Sequence, residues 1–346
     1  MRQQIQKDDM AAFDATILPT ILDRADRLWM DNQVKSQFEA KTDVFQALKK
    51  EQTAKIDTAL QGKDRAVKVG WITACNIVAA DCDTSCTIGG QELDTAVAEY
   101  DITSCKKVAF KVPEQKFRDN LFDYTEVVAA GILKGMKELD ETISAAGVAF
   151  LNANGGENAY ASPLWTVASG ITNIPAANMT LGLMFHFKYG ADQNRFSDAA
   201  LISGYNLAEP IFIAETNAGN DAGKGDAARS RLMRLYQDFF NIEKVNTSGS
   251  PAVTSYKTYM VDKGAVAFAS KSYYDPAPRT LPGIGHVLFS RPSNNLPGVV
   301  YDVTYTVTCT SGVYFHEYKI EAHYDYFLNP TGCVAGRTGI LEFLKV

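Results

Sequence analysis

Residues 300–322 read VYDVTYTVTCTSGVYFHEYKIEA, and this stretch decides the fold class. As far as Cys309 it alternates between apolar or aromatic residues and polar ones, which places every second side chain on one face of a β-strand. Ser311-Gly312 supplies a turn, and the return from Tyr314 to Ala322 alternates in the same way. The pattern predicts a hairpin with arms of about ten residues, roughly 33 Å each, which is long for a strand.

A single long helix is predicted over residues 114–153. Apolar side chains recur there every three or four positions without a proline, and Pro113 has the fixed φ that suits a first helical position. About forty residues would span roughly 55–60 Å, against about 11–12 residues in a mean globular helix. Asn154-Gly155-Gly156 tolerates positive φ and is expected to end the helix. A rod of this length exceeds what a compact core needs.

The segments before this helix are predicted to be extended. Residues 8–29 have a helical period, which Pro19 is expected to bend or restart, and they predict an amphipathic arm. Residues 31–65 carry evenly mixed charge, and we expect them to be solvated and loosely attached, with a thin apolar stripe at Phe38, Val44, Phe45 and Leu48.

Two further stretches before the long helix have strand period. The alternation of Val67, Val69 and Trp71, with a turn region at Gly89-Gly90, predicts a projecting hairpin. Residues 107–112 alternate as well and predict a strand that leads into the long helix.

Short mixed elements are expected in the middle third of the chain. We predict a strand at 210–213, a helix near 227–240, and a strand pair at 259–261 and 266–268 joined by the turn Asp262-Lys263-Gly264. Together with the long helix and long hairpin, these elements predict an α+β fold.

Composition excludes several classes of protein. The 346 residues are 46% hydrophobic, yet no apolar run approaches the ~20 residues of a membrane-spanning helix. A net charge of −6 and a pI near 5.4 argue against a dedicated nucleic-acid binder. The opening MRQQIQKDD has charge without an apolar stretch behind it, so we expect no secretory signal, folding in a cytoplasm, and reduced thiols at the six cysteines.

Three patterns raise the question of a metal or nucleotide site. Residues 219–225 resemble a phosphate-binding loop, but one residue is missing between the glycines and Gly225 replaces the hydroxyl residue that would hold magnesium. Asn217–Asp226 lacks the order of acidic residues found in a calcium loop. A cluster of cysteines has one pair at zinc-site spacing and lacks the second pair; its members are Cys75, Cys82, Cys86 and Cys105. We expect no cofactor and no metal, although zinc at this cluster stays open.

Catalytic patterns are equally incomplete. A thiol–histidine site would draw on His186, His286, His316 or His323, and His323 lies ten residues before Cys333. Histidines in strand-like runs beside aromatic residues are more often structural. The carboxylates of Glu138, Asp140 and Glu141 are interpreted as a solvated helix face. We therefore expect no catalytic residue.

In the order of its elements and in the character of its local sequence, the chain resembles the major capsid proteins of tailed bacteriophages. Their fold is shared with encapsulins and the herpesvirus capsid floor domain. Three stretches carry this resemblance: 257–268 (KTYMVDKGAVAF), 296–303 (LPGVVYDV) and 329–341 (NPTGCVAGRTGIL). The resemblance covers nearly the whole chain.

The resemblance implies four parts for the chain. They are an N-terminal arm (1–60), an extended loop that forms a β-hairpin (61–107), a peripheral domain (108–200 and 299–325) and an axial domain (201–298 and 326–346). The peripheral domain would contain the spine helix at 114–153 and the long β-strands. A fused N-terminal scaffold of the kind that some members carry is not expected, because no helical segment of that size precedes the arm.

The implied function is structural. Many copies would form hexamers and pentamers of an icosahedral phage head that encloses double-stranded DNA. The implied partners are a separate scaffolding protein, a portal, possible decoration proteins and DNA held by non-specific contact. We expect no membrane partner, assembly in the host bacterial cytoplasm and a final location in the virion.

The expected interface contacts are apolar residues of the arm and the loop. These candidates are Phe13, Ile17, Trp29 and Trp71. Three alternatives stay open: an encapsulin-type compartment that encloses enzyme cargo, a hydrolase built on the α+β middle, and a surface adhesin built around the strand-rich end.

Overall fold

The computed structural model describes residues 7–57, 66–73, 94–113, 123–155, 162–168, 171–180, 182–196, 198–204, 207, 239–241, 257–281, 286–329 and 338–346. Its α-helices are α1 (Lys7–Met30), α2 (Asp43–Lys50), α3 (Tyr124–Asn154) and α4 (Leu183–Gln193). The strands before α4 are β1 (Lys55–Asp57), β2 (Ala66–Thr73), β3 (Asp94–Asp101), β4 (Ser104–Pro113), β5 (Thr166–Ala168) and β6 (Ile171–Ile174). The strands after α4 are β7 (Ala199–Ser203), β8 (Phe239–Asn241), β9 (Lys257–Asp262), β10 (Val266–Ser270), β11 (Arg279–Thr280), β12 (Val287–Pro292), β13 (Val300–Thr310), β14 (Val313–Leu328) and β15 (Ile340–Lys345). The predicted α+β class is confirmed.

The first sheet is built on the predicted long hairpin. β13 and β14 are antiparallel from Asp302 opposite Glu321 to Thr310 opposite Val313. Ser311 (φ 52°) and Gly312 (φ 80°) form the turn in the left-handed region, which a two-residue hairpin connection requires. The strand order is β10-β14-β13-β12-β11, with β4 also paired to β14. β14 has 16 residues, so its arm is longer than predicted.

Helix α3 lies across the inner face of this sheet and confirms the predicted long helix. Its 31 residues span about 46 Å without a break. It begins at Tyr124 and not at 114, and residues 114–122 lie outside the described part of the chain. It ends at Asn154, one residue after the predicted end at 153, and Gly155 has φ −80°, so the tolerance for positive φ is not used there. Close packing makes glycine necessary at this position, because a Cβ there would lie 2.8 Å from Oε2 of Glu342.

Two glycines of α3 allow the sheet to approach the helix closely. A Cβ on Gly131 would lie 2.9 Å from the ring of Phe110 on β4, and one on Gly135 would lie 3.0 Å from Cδ1 of Ile320 on β14. Phe110 is itself stacked on Tyr318, with ring centroids 5.2 Å apart. Because these two positions carry no side chain, residues of the sheet pack directly against the backbone of α3.

The N-terminal segments are packed more firmly than the sequence predicts. Helix α1 continues across Pro19, which excludes the restart that was predicted as one of two alternatives; the other alternative, a bend at Pro19, stays a prediction. Leu18, Ile21 and Ala25 are buried in the core shared with α3 and the first sheet. An ion pair joins Arg24 to Glu126 at 2.9 Å. The predicted amphipathic arm at residues 8–29 is therefore a helix whose apolar side is buried against the chain's own α3 and first sheet from Leu18 onward.

Helix α2 also contradicts the expected loose attachment of residues 31–65. Val44, Phe45 and Leu48 are at most 2% exposed, because the apolar stripe faces α3 and β10. The ring of Phe45 packs edge-on against Phe268, with centroids 4.8 Å apart.

The second sheet has the order β5-β6-β15-β9-β7-β8, and α4 packs on it through buried apolar residues that include Leu183 and Phe187. The turn at Asp262-Lys263-Gly264 is confirmed, and Gly264 has φ +81°. The predicted pairing of the flanking strands is wrong. β9 pairs with β15 and β7 in the second sheet, whereas β10 pairs with β14 in the first.

The sheets do not divide where the resemblance placed the domain boundaries. β7 crosses the boundary at 200/201 and pairs with β9 and β8. β10, β11 and β12 fall within the range 201–298 but belong to the sheet of the long hairpin. Phe239 and Phe240 are in β8, so the predicted helix does not extend to 240; the rest of that helix and residues 210–213 lie outside the described residues.

A third sheet, β1-β2-β3, contains the strand predicted around Val67, Val69 and Trp71, which pairs with β3 in antiparallel orientation. Its connection at 74–93, which includes Gly89-Gly90, lies outside the described residues. Trp71 is 2% exposed and packs in a core with Ala267, Ala269 and Phe327. The prediction that Trp71 contacts another subunit is therefore corrected, since this face is covered by the chain's own β10 and β14.

Candidate assembly surfaces

The first sheet has one apolar and one polar face, as its sequence alternation requires. Val303, Tyr318 and Ile320 lie in the core beneath α3. The alternate residues point the other way and line a groove of about 660 Å³, here called the outer groove. Its walls are Ala109, Lys111, Tyr274, Leu281, His286, Leu288, Thr304, Thr306, Glu317 and Lys319. Phe110 and Tyr318 also border the groove, although their side chains belong to the core on the α3 side. The groove is a concave surface with both apolar and charged walls.

Charges of the outer groove are held in fixed positions. Lys319 lies 2.9 Å from Glu321, and this bond is the main cause of a raised pKa at Lys319. Thr308 donates a hydrogen bond to Glu317 at 2.9 Å. The ammonium of Lys111 lies 5.2 Å from the ring centre of Phe315. A partner that enters the groove therefore meets two ammonium groups and one carboxylate.

Helix α4 exposes two aromatic rings on its outward side. Phe185 is 64% exposed and Tyr189, one turn later, is 53% exposed, whereas Leu183 and Phe187 are fully buried. The exposed pair, here called the α4 patch, is flanked by the ion pair between Lys188 and Asp192. Exposed aromatic rings at adjacent helical positions are typical of a surface that another protein covers.

Exposed strand edges provide a second kind of surface. Among the described residues β4 pairs with β14 alone, which leaves its other edge open over ten residues. Lys106, Lys107 and Lys111 are exposed along it. Lysines on an edge strand oppose indiscriminate strand pairing, so this edge favours selective contacts.

A buried carboxylate links the long β13–β14 hairpin to helix α3. Asp140 of α3 is fully buried and accepts hydrogen bonds from Tyr301 of β13, from Ser293 at 2.7 Å and from Asn295 at 2.8 Å. Burial raises the pKa of Asp140 to about 6, against the lowering effect of these donors. Asn295 also binds the backbone of Phe38 and Ala40, so the network reaches the chain before α2.

Asp140 and Glu141 contradict the interpretation of a solvated carboxylate face. They are 0% and 6% exposed, and Glu141 accepts a hydrogen bond from the backbone N–H of Lys41 at 3.3 Å. Glu138 is exposed, as expected. The charge pattern gave a wrong prediction of solvent exposure because the groups that bury these two residues come from distant parts of the chain.

The predicted interface residues are distributed unevenly. Phe13 and Ile17 belong to α1, but their side chains lie outside the described part. Trp29 is half-buried against the core of α1 and α3, and the ammonium of Lys35 lies 5.2 Å from its ring centre. None of these three is tested as an interface residue. The exposed rings of the α4 patch were missed, although LMFHFKYG places aromatic residues one helical turn apart.

One cysteine and one histidine of the predicted sets are neighbours. Sγ of Cys105 lies 4.0 Å from Nε2 of His323, and Oδ2 of Asp302 lies 3.8 Å from the same nitrogen. A nucleophile–histidine–carboxylate relay needs the two groups on different ring nitrogens. The remaining cysteines of the cluster, as well as Cys333 and residues 217–226, lie outside the described residues, within which no metal-binding group of three side chains occurs.

The other histidines have structural contacts. Nδ1 of His316 lies 2.6 Å from the hydroxyl of Tyr305, and Nδ1 of His186 lies 3.3 Å from Oγ of Ser162. His286 lines the outer groove.

Among the described helices, none is both long enough and apolar enough to span a membrane.

Neither a protein-family model nor a curated protein sequence matches the chain. Solved structures are similar to it over most of their length. A structure from Mycobacterium phage Adephagia has 12% identity and a TM-score of 0.41, with 88% of this chain and 90% of that chain covered. The capsid of cyanophage P-SCSP1u has 10% identity, a TM-score of 0.43 and coverage of 82% and 84%. The capsid of an empty GTA particle has 12% identity, a TM-score of 0.45 and coverage of 89% and 91%.

Proposed function

We propose that this chain is the major capsid protein of a tailed bacteriophage. Many copies join edge to edge as hexamers and pentamers of an icosahedral head that encloses double-stranded DNA. The observation that carries the proposal is the unbroken 31-residue α3 packed beneath a 16-residue strand, whose opposite face forms the open outer groove. A rod and a sheet of this length give one subunit several separate surfaces at a distance from one another.

The described surfaces suit contacts between copies. The α4 patch leaves two aromatic rings in water, and burial of apolar area stabilises by roughly 25 cal/mol per Å². The outer groove and the open edge of β4 add charged and hydrogen-bonding contacts. Each contact is modest, and association costs freedom of motion, so a closed shell would depend on the sum over many neighbours.

Further partners follow from the resemblance alone. A separate scaffolding protein would guide assembly in the host cytoplasm, and a portal and decoration proteins would complete the virion. A net charge of −6 argues against a dedicated nucleic-acid binder, so contact with packaged DNA would be incidental and non-specific. We propose no enzymatic activity, because Asp302 and Cys105 approach the same nitrogen of His323.

The test is to express the full chain and examine it by size-exclusion chromatography with light scattering and by negative-stain electron microscopy. We expect rings or closed shells. Shells purified from cells with bound enzyme and without a need for scaffold would favour an encapsulin-type compartment. A stable monomer or trimer at high concentration, also in the presence of candidate scaffold, would contradict the proposal.

A further inference from the structure

An exposed thiol and a histidine face each other on the groove side of the first sheet. Cys105 on β4 and His323 on β14 are opposite each other in the antiparallel register, and Sγ of Cys105 lies 4.0 Å from Nε2 of His323. Cys105 is exposed and forms no disulfide, whereas the side chain of His323 is 16% exposed. The thiol is therefore accessible while the ring beside it is largely enclosed.

A buried carboxylate approaches the same ring nitrogen. Oδ2 of Asp302 on β13 lies 3.8 Å from Nε2 of His323, and Asp302 is 2% exposed. The carboxylate is fixed by the hydroxyl of Ser272, which donates at 2.6 Å, and by the backbone N–H groups of Tyr273 and Tyr274, at 3.0 and 3.1 Å. The ring of Tyr273 packs edge-on against the imidazole, with centroids 4.8 Å apart. The imidazole is thus held in place beside the thiol.

The charges around this pair favour a thiolate beside an imidazolium. Charged side chains on the neighbouring strands and after β10 include those of Lys107, Lys271, Asp302, Lys319, Glu321 and Asp325. Glu321 is paired with Lys319 at 2.9 Å, and Asp325 accepts hydrogen bonds from the backbone of residues 103–104. Asp302 is the carboxylate directed at the ring. A carboxylate and a thiolate both attract an imidazolium, and a thiol beside a protonated histidine ionises more readily.

An ammonium group on β14 acts in the same direction. The raised pKa of Lys319 is due mainly to its hydrogen bond with Glu321, and negative charge at Cys105 makes a smaller contribution. The sulfur is thus within electrostatic range of a cation as well as of the imidazole. Accessible thiols near cationic groups are typical of reactive cysteines.

We propose that Cys105 is a modification site that forms a reversible mixed disulfide with low-molecular-weight disulfides. The thiolate of Cys105 attacks one sulfur of the small disulfide, and the new S–S bond forms as the old S–S bond breaks. The leaving thiolate takes the proton that the Cys105 thiol had given to His323, and it departs as a thiol. Cys105 is oxidised and one half of the small molecule is reduced, so electrons and protons balance. An excess of small thiol reverses the exchange.

Contact with a single ring nitrogen is sufficient for this role. A catalytic relay would need Asp302 and Cys105 on different nitrogens of the ring. Here His323 only holds one proton and gives it up once in each modification. The site is therefore a target of modification and not a catalytic centre.

A second exposed thiol of the same sheet provides an internal control. Cys309 on β13 is exposed and lies opposite Tyr314 in the register. Among the described residues, none forms a hydrogen bond or an ion pair with its sulfur. Cys309 thus shares the exposure of Cys105 without a histidine in contact.

Site-resolved mass spectrometry of the purified, unassembled full chain tests the proposal. The reduced chain, freed of reductant, is incubated with glutathione disulfide and a metal chelator, and the glutathionyl adduct at each cysteine is followed over time. We expect Cys105 to react about tenfold faster than Cys309 or more, and excess dithiothreitol to remove the adduct. A rate at Cys105 no higher than that at Cys309, or no adduct at Cys105, would overturn the proposal.

Variants test the part played by the histidine. In His323→Gln the thiol loses its proton acceptor, so the rate at Cys105 should fall about tenfold and should follow the same pH dependence as the rate at Cys309. His286→Gln is the matched control, because His286 precedes β12, which β13 and β14 separate from β4, and it should leave both rates unchanged. An unaltered rate and pH profile at Cys105 in His323→Gln would exclude the assigned role of His323.

An adduct at Cys105 would lie beside the open edge of β4, and we expect it to weaken contacts between copies there. This consequence rests on the proposed function, whereas the reactivity of Cys105 does not. Treatment with glutathione disulfide should lower the yield of rings or shells from the parent and not from Cys105→Ser. Equal yields from the treated and the reduced parent would overturn the effect on assembly alone, and a chain that assembles under neither condition would count against the proposed function instead.

Discussion

The hydroxyl of Tyr301 on β13 donates to the buried carboxylate of Asp140 on α3, in the interior between this helix and the long hairpin. The remaining donors to Asp140, Ser293 and Asn295, come from the loop before β13. One carboxylate therefore organises the helix, the hairpin and their connection.

Tyr301→Phe should destabilise the unassembled chain at pH 7. We expect a loss of about 1–3 kcal/mol in the free energy of unfolding, because a buried anion loses a donor. The loss should be smaller at pH 5, where Asp140 is mostly protonated. Urea denaturation at both pH values measures this. Tyr326→Phe, which removes a hydrogen bond to the carbonyl of Ile143, is the control, and its cost should be the same at both pH values.

Ionisation of Asp140 should make stability fall as the pH rises. Its pKa is raised from 3.8 to about 6 in the folded chain, so the folded state holds the proton more tightly than the unfolded state. The contribution is complete below about pH 4 and is lost by about pH 6, and at about 1.4 kcal/mol per pH unit it amounts to about 3 kcal/mol. The stability of the parent relative to Asp140→Asn, from urea unfolding across this range, should show the decline. Parallel curves would contradict it.

Sequence patterns predicted the elements whose signals are local. The long hairpin is specified by alternation on both sides of Ser311-Gly312, and α3 by its spacing of apolar residues. Both were predicted because their evidence lies within the element itself. Glycine at 155 was also expected, but its reason is the approach of Glu342, which lies 187 positions later.

Other features depend on partners far away in sequence. The local sequence predicts a solvated Asp140, because Ser293, Asn295 and Tyr301, which surround its carboxylate in the fold, are more than 150 positions away. β9 and β10 were predicted to form a hairpin because a turn does join them. In the fold, however, β9 pairs with β15 and β10 pairs with β14. The α4 patch could be identified only once packing had shown which side of α4 faces the second sheet.

Gly131→Ala should destabilise the chain despite the higher helix propensity of alanine. The new methyl would meet the ring of Phe110 at 2.9 Å, and that ring is held by stacking on Tyr318. We expect a net loss of about 1–3 kcal/mol, since overpacking outweighs a propensity gain of about 1 kcal/mol. In a Phe110→Leu background, which leaves room for the methyl, the same change should be neutral or stabilising. Thermal unfolding of the four proteins gives the coupling directly.

Trp71→Ala should act on folding, and not first on assembly. Its ring is enclosed by the chain's own residues, and removal of a buried tryptophan costs about 3–5 kcal/mol. Val97→Ser, in the neighbouring strand at 66% exposure, should change the free energy of unfolding by less than about 0.5 kcal/mol. Denaturant unfolding of the dissociated chains separates the two. Equal effects would place Trp71 outside the core.

Phe185→Ser combined with Tyr189→Ser should block assembly without unfolding the subunit. Both rings are more than half exposed, so the monomer loses little buried area, whereas an interface that covers them would lose its apolar centre. We expect at least a tenfold drop in the fraction of protein in rings or shells, measured by light scattering and counted in negative-stain images, with an unchanged melting temperature for the dissociated chain. Lys188→Ala is the control on the same helix, since its exposed ion pair with Asp192 contributes little. Normal shell yield from the double variant would show that the α4 patch faces solvent in the assembled state.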